Sequence, residues 1–94
     1  MNFQNQIVWI TGASSGIGRA MSLEFAKNGA TVAVSARRLD ELNKLVTEIE
    51  NFGGKAKAFF CDILDEVSIK NCVNQIIESF GKLDIAVANA GFGV

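Results

Sequence analysis

Short apolar runs alternating with amphipathic helical periods predict an α/β fold built on a parallel sheet. Four runs of branched, small or aromatic residues are each separated by a helical pattern, and glycines stand at most of the junctions. The composition agrees: over 94 residues, 49% are hydrophobic and 20% charged, values of one small soluble globular domain rather than a disordered chain.

The elements follow in order. Ile7-Val8-Trp9-Ile10 predicts a strand over residues 6–10, buried on both faces. A helix is expected over residues 16–28, turning Ile17, Ala20, Met21 and Phe25, with Leu23, toward the core; Gly29 is its natural terminator. Val32 and Val34 mark a second strand over 30–35. Leu39, Leu42, Leu45, Val46, Ile49 and Phe52 recur at helical spacing, and Gly53-Gly54 stops that helix. Residues 56–61 form the third strand. Asp65 is read as the N-cap of a helix reaching about residue 80, buried through Ile69, Val73, Ile76, Ile77 and Phe80. Gly81 ends it, and residues 83–88 make the fourth strand. Parallel strands joined by helical crossovers in the order 3-2-1-4 place the first two helices on one face and the third on the other. One helix cannot cover a whole face, and the fourth strand is left as an open edge, so residues 1–94 are expected to be part of a larger unit, truncated after the fourth strand.

Several function classes are excluded. A net charge of −1 gives no bulk attraction to nucleic acid or a membrane surface. No apolar run reaches membrane-spanning length, and residues 1–6 lack the charged and apolar parts of a signal peptide. Cys61 and Cys72 read as small buried hydrophobes rather than a disulfide framework, which points to the cytoplasm. The chain has no His and no Tyr, so common acid–base side chains are missing.

Chemistry concentrates in Thr11-Gly12-Ala13-Ser14-Ser15-Gly16-Ile17-Gly18, between the first strand and the first helix. Backbone N–H groups and the positive end of a helix dipole make such a turn a seat for phosphate. Gly12 permits the tight turn, Gly16 lets the backbone approach a pyrophosphate, and Gly18 lets the helix pack closely on the sheet. Ser14, Ser15 and Ile17 line the turn and are candidate cofactor contacts. The alternative is a tight turn with no ligand. A residue that discriminates between cofactors is expected about 20 positions beyond, at the end of the second strand, where an acidic side chain would accept from the ribose hydroxyls of NAD. Here the chain reads Ser35-Ala36-Arg37-Arg38. A guanidinium instead suits the extra phosphate of NADP, by roughly 1.5–3 kcal/mol per charge-assisted contact. NADP is therefore favoured over NAD, the alternative being that Arg37 and Arg38 are solvated loop residues.

Thr11, Gly12, Gly16 and Gly18 match T-G-x-x-x-G-x-G, and through them the chain resembles the compact branch of the short-chain dehydrogenase/reductase family. The likeness covers the whole chain but only the first part of a typical member. It implies a Rossmann-type doubly wound sheet, of which these residues form the N-terminal part, with about four strands and three helices. Asp62-Ile63 resembles the pair that contacts adenine in this family, although Asp62 also suits a turn or helix cap. Asn89-Ala90-Gly91 resembles the family's N-N-A-G turn on the cofactor, with Ala88 in place of the first Asn, and a purely structural role for Asn89 stays open. Ser15 stands where some NADP-preferring relatives carry a second basic residue.

The resemblance implies an oxidoreductase that transfers hydride between NADP(H) and a small carbonyl or alcohol substrate, and that assembles as a homo-oligomer at full length. The family's catalytic Ser, Tyr and Lys fall on none of residues 1–94, which by themselves are expected to show no turnover. The alternative is a non-catalytic nucleotide-binding or interaction module. An NAD-linked epimerase is disfavoured by the glycine spacing and by Arg37.

Overall fold

Each apolar run becomes a strand and each helical period a helix in the computed structural model, which describes residues 2–88. The order is β1 (Ile7–Thr11), α1 (Gly16–Lys27), β2 (Thr31–Ala36), α2 (Leu39–Asn51), β3 (Lys55–Phe60), α3 (Glu66–Phe80) and β4 (Ile85–Val87). The strands form one sheet in the order β3-β2-β1-β4. Every pairing is parallel, with Trp9 opposite Ala33 on one side and Ala86 on the other. The expected order therefore holds. β1 and β2 start and end one residue later than expected, β3 starts and ends one residue earlier, and β4 is shortened to Ile85–Val87.

The alternation of side chains across a strand splits the core in two. Val8, Ile10, Val32 and Val34 face Ala26 of α1 and Leu42, Leu45 and Ile49 of α2. Ile7, Trp9, Ala33 and Phe59 face Cys72 and Ile76 of α3. Two helices thus pack on one face and one on the other. On the α3 side the sheet also holds a buried polar contact: the Trp9 indole Nε1–H donates to Ser35 Oγ at 2.8 Å. At the opposite end, Asp84 Oδ2 accepts from the Ile7 amide at 2.8 Å and pairs with Lys82 at 3.1 Å, fixing where β4 meets β1. That backbone donor, with the ammonium beside it, holds the Asp84 carboxyl below the usual carboxylate range.

Two expectations about burial are corrected. In α1 the inward face is Gly18, Ser22 and Ala26, while Ile17 is 70% exposed and Ala20 is exposed. The spacing of four places small residues against the sheet, so the helix lies close to it and its bulkier Met21, Leu23 and Phe25 pack from the flanks. In α3, Ile77 turns out to be largely exposed, and Cys72 with Ile76 makes the innermost contact. The ends of the α2 stripe, Leu39 and Phe52, are also exposed.

Cys61 and Cys72 are both free thiols and both buried. Burial pushes the Cys61 thiol up and the Cys72 thiol up to about 12, so neither holds an appreciable thiolate population near neutral pH. Neither is expected to react with iodoacetamide at pH 8 until the protein is unfolded, as peptide mass mapping would record. Stoichiometric alkylation of the native protein at either position would contradict this burial.

Candidate dinucleotide-binding site

All four strands point the same way, so their C-terminal ends lie along one edge of the sheet. Thr11 aligns with Ser35, Ala36 with Phe60, and Ile10 with Val87, which brings the ends of the strands level. The order β2-β1-β4 also makes β1 the point where connections diverge to opposite faces, since α1 and α3 lie on different sides. Ligands in open parallel sheets sit in the crevice beyond such a point.

The turn after β1 is tied down on both sides. Gly12 has φ +61, a left-handed conformation that an L side chain adopts with strain. The Ala13 amide donates to Ser35 O at 3.0 Å, clamping the turn onto the end of β2 two residues before Arg37. Ser15 stands at the N-cap of α1, yet its hydroxyl donates back to Gly12 O at 2.8 Å rather than capping the helix. Among the described residues, Ser15 makes no side-chain cap bond to the first turn of α1, and no acidic residue occupies that turn. Its amide donors and the positive helix end are therefore presented outward. A Cβ built on Gly16 meets nothing within 4 Å. The space over Gly16 is open on the ligand side, whereas Gly18 is buried against the sheet. Gly12 thus makes the turn, Gly16 faces open space and Gly18 packs on the sheet, an arrangement with room for a pyrophosphate.

Arg37 and Arg38 are exposed, and among the described residues neither forms an ion pair. Arg38 occupies the N-cap position of α2 and contributes only its carbonyl, which accepts from the Leu42 amide at 3.2 Å. Nearby, Arg19 bridges α1 to α2 through Glu48.

Beyond β3, Asp62 makes a turn: its Oδ1 accepts from the Leu64 amide at 3.0 Å and its carbonyl accepts from the Asp65 amide at 3.0 Å. Asp65 is the N-cap, its Oδ1 accepting from the Val67 amide at 3.0 Å. The turn role considered for Asp62 is thus present, and the capping role falls to Asp65. Ile63 lines an apolar pocket of about 290 Å³ beside the β1–β4 pair, together with Trp9, Thr11, Ile69, Val87 and Ala88. Neither this pocket nor the clamp from Ala13 to Ser35 was evident from residue spacing. Asn89, Ala90 and Gly91 lie outside the described residues. Among the described residues no cluster of His, Cys, Asp or Glu suits a metal ion, and no helix is long and apolar enough to cross a membrane.

A parallel, doubly wound sheet with a glycine turn after its switch-point strand defines the Rossmann-like class of nucleotide-binding domains. Within that class the chain belongs to the short-chain dehydrogenase family, whose model matches residues 6–94. It is 42% identical over 89 residues to a 3beta-hydroxysteroid dehydrogenase of Mediterraneibacter gnavus, covering 95% of this chain and 32% of the relative. To the 3-oxoacyl-[acyl-carrier-protein] reductase FabG of Thermotoga maritima it is 37% identical over 91 residues, covering 97% and 37%. The crystal structure of a hydroxysteroid dehydrogenase from Escherichia coli superposes with a TM-score of 0.95 at 40% identity, over 99% of this chain and 40% of that one. A metagenomic short-chain oxidoreductase in complex with NADP superposes with a TM-score of 0.90 at 32% identity, over 95% and 40%. The chain therefore spans about a third of the length of the curated relatives it matches.

Proposed function

We propose that residues 1–94 form the NADP-binding portion of a short-chain oxidoreductase that transfers hydride between NADP(H) and a small carbonyl or alcohol substrate. The observation that carries this reading is the 3.0 Å clamp from the Ala13 amide to Ser35 O, which holds the open glycine turn beside the strand end that leads into Arg37. The Gly12–Gly18 turn seats the pyrophosphate on the amides of α1, with Ser14, Ser15 and Ile17 around it. Arg37, supported by Arg38, meets the phosphate on the adenosine ribose, and Asp62 with Ile63 receives the adenine. Asn89, Ala90 and Gly91 are assigned to the cofactor on the family resemblance alone. The NADP complex of a relative supports the choice of nucleotide. The cofactor supplies the redox chemistry, and these residues bind and orient it. With no Tyr or His in the chain, a proton relay has to come from elsewhere, and residues 1–94 alone are inactive on this reading. A cytoplasmic setting and assembly of the full-length protein as a homo-oligomer are part of the same reading.

Arg37→Ala in the intact protein tests the assignment. Loss of a charge-assisted phosphate contact is expected to weaken NADP binding about tenfold to a hundredfold while leaving NAD affinity nearly unchanged, as read by calorimetric titration. An unaltered NADP affinity, or a wild-type protein that prefers NAD, would contradict it.

A further inference from the structure

The loop between β3 and α3 carries the residues assigned to adenine, yet little in its own sequence is rigid: Asp62, Ile63 and Leu64 hold no Gly or Pro constraint. Its own turn bonds from Leu64 and Asp65 to Asp62 shape it, and a further tie comes from one turn into the following helix. The Asp62 amide donates to Ser68 Oγ at 2.9 Å. Ser68 is the third residue of α3 after its Asp65 cap, so its side chain reaches back over the first turn. The residue before Asp62, Cys61, is buried and held by its amide to Ala36 O at 3.0 Å. One hydroxyl thus ties the head of the loop, next to the last sheet-anchored residue, to the helix.

We propose that Ser68 is a positioning residue for the adenine end of the nucleotide site, acting through the Asp62 backbone and touching no ligand itself. The inference rests on the cofactor reading above. Without the hydroxyl, the partly buried Asp62 amide loses its acceptor, and the peptide units carrying the Asp62 carboxylate and Ile63 keep only the turn bonds from Leu64 and Asp65, which do not anchor the loop to the body of α3. Affinity then falls for any ligand that carries the adenine half, whether or not it carries nicotinamide.

Calorimetry on the intact protein, with NADP and with adenosine 2′,5′-bisphosphate as probes, tests this. Ser68→Ala is expected to weaken both by about fivefold to tenfold, the size of one lost hydrogen bond to a part-buried amide. The isosteric pair Ser68→Thr and Ser68→Val separates the hydroxyl from side-chain volume. Threonine should restore binding and valine should not, which a general loss of packing would not produce. If wild type binds NADP and Ser68→Ala binds it equally well, or if Thr and Val variants behave alike, the positioning role is overturned while the cofactor reading stands. If wild type binds neither probe, the cofactor reading falls and this inference falls with it.

Discussion

Replacing Gly16 by valine is expected to leave the protein folded and to weaken NADP binding by about 100-fold or more. The two halves of that expectation have separate physical grounds. A Cβ at position 16 meets nothing within 4 Å apart from its chain neighbours and its own helix backbone, and the residue is exposed at the start of α1, so the packing around it does not oppose a side chain there. Glycine is also a poorer helix former than valine, so α1 loses nothing in propensity. The space that the new methyl groups would fill is the approach to the uncapped amides of α1. A pyrophosphate held off those amides forfeits one or more charge-assisted hydrogen bonds, each worth roughly 1.5–3 kcal/mol. Thermal melting and calorimetric titration on the same sample distinguish the two effects. An unchanged melting temperature with unchanged affinity would show that the turn serves the fold and no ligand.

Ile10→Ala is expected to cost about 2–5 kcal/mol of stability. Ile10 is fully buried in the central strand, opposite Val34 of β2 and Val87 of β4. Its side chain belongs to the core shared with Leu42, Leu45 and Ile49 of α2. Parallel ladders on both sides hold its backbone, so the surroundings cannot collapse into the space left behind, and the cavity term adds to the lost transfer energy. The same substitution at Ile17, 70% exposed, is expected to cost less than about 0.5 kcal/mol. Urea denaturation of the intact protein reads both. A cost below about 1 kcal/mol at Ile10 would mean that the sheet is not the rigid centre described here.

Particular residues explain what was legible in advance. The strand order and the sides taken by the helices follow from alternation and short connections, which act along the whole chain and leave few topologies. Asp65 and Gly81 announced the ends of α3 because capping needs specific side-chain chemistry or a left-handed residue, and φ at Gly81 is +82. The inward face of α1 was less legible. Hydrophobic periodicity points to Ile17 and Ala20, but the close approach of helix to sheet selects the small residues Gly18, Ser22 and Ala26. Periodicity ranks side chains by hydrophobicity, whereas a tight interface selects by volume. At the site, the glycine turn was legible because its residues are adjacent in sequence. The clamp from Ala13 to Ser35 and the tie from Asp62 to Ser68 were not, since one needs strand register and the other a rotamer. A polar residue at the third position after a helix cap is a signal that could have drawn attention to Ser68.

A nucleotide seated over the first turn of α1 is the centre of the proposed site. Titration of the isotopically labelled intact protein with NADP, followed by amide NMR, tests that seat residue by residue. The expected result is saturable one-to-one binding, with the largest shifts at Ser14 to Gly18 and further shifts at Arg37 and at Asp62–Ile63. Saturation that moves other amides and leaves the glycine turn untouched, or the absence of binding by NADP and NAD alike, would contradict it.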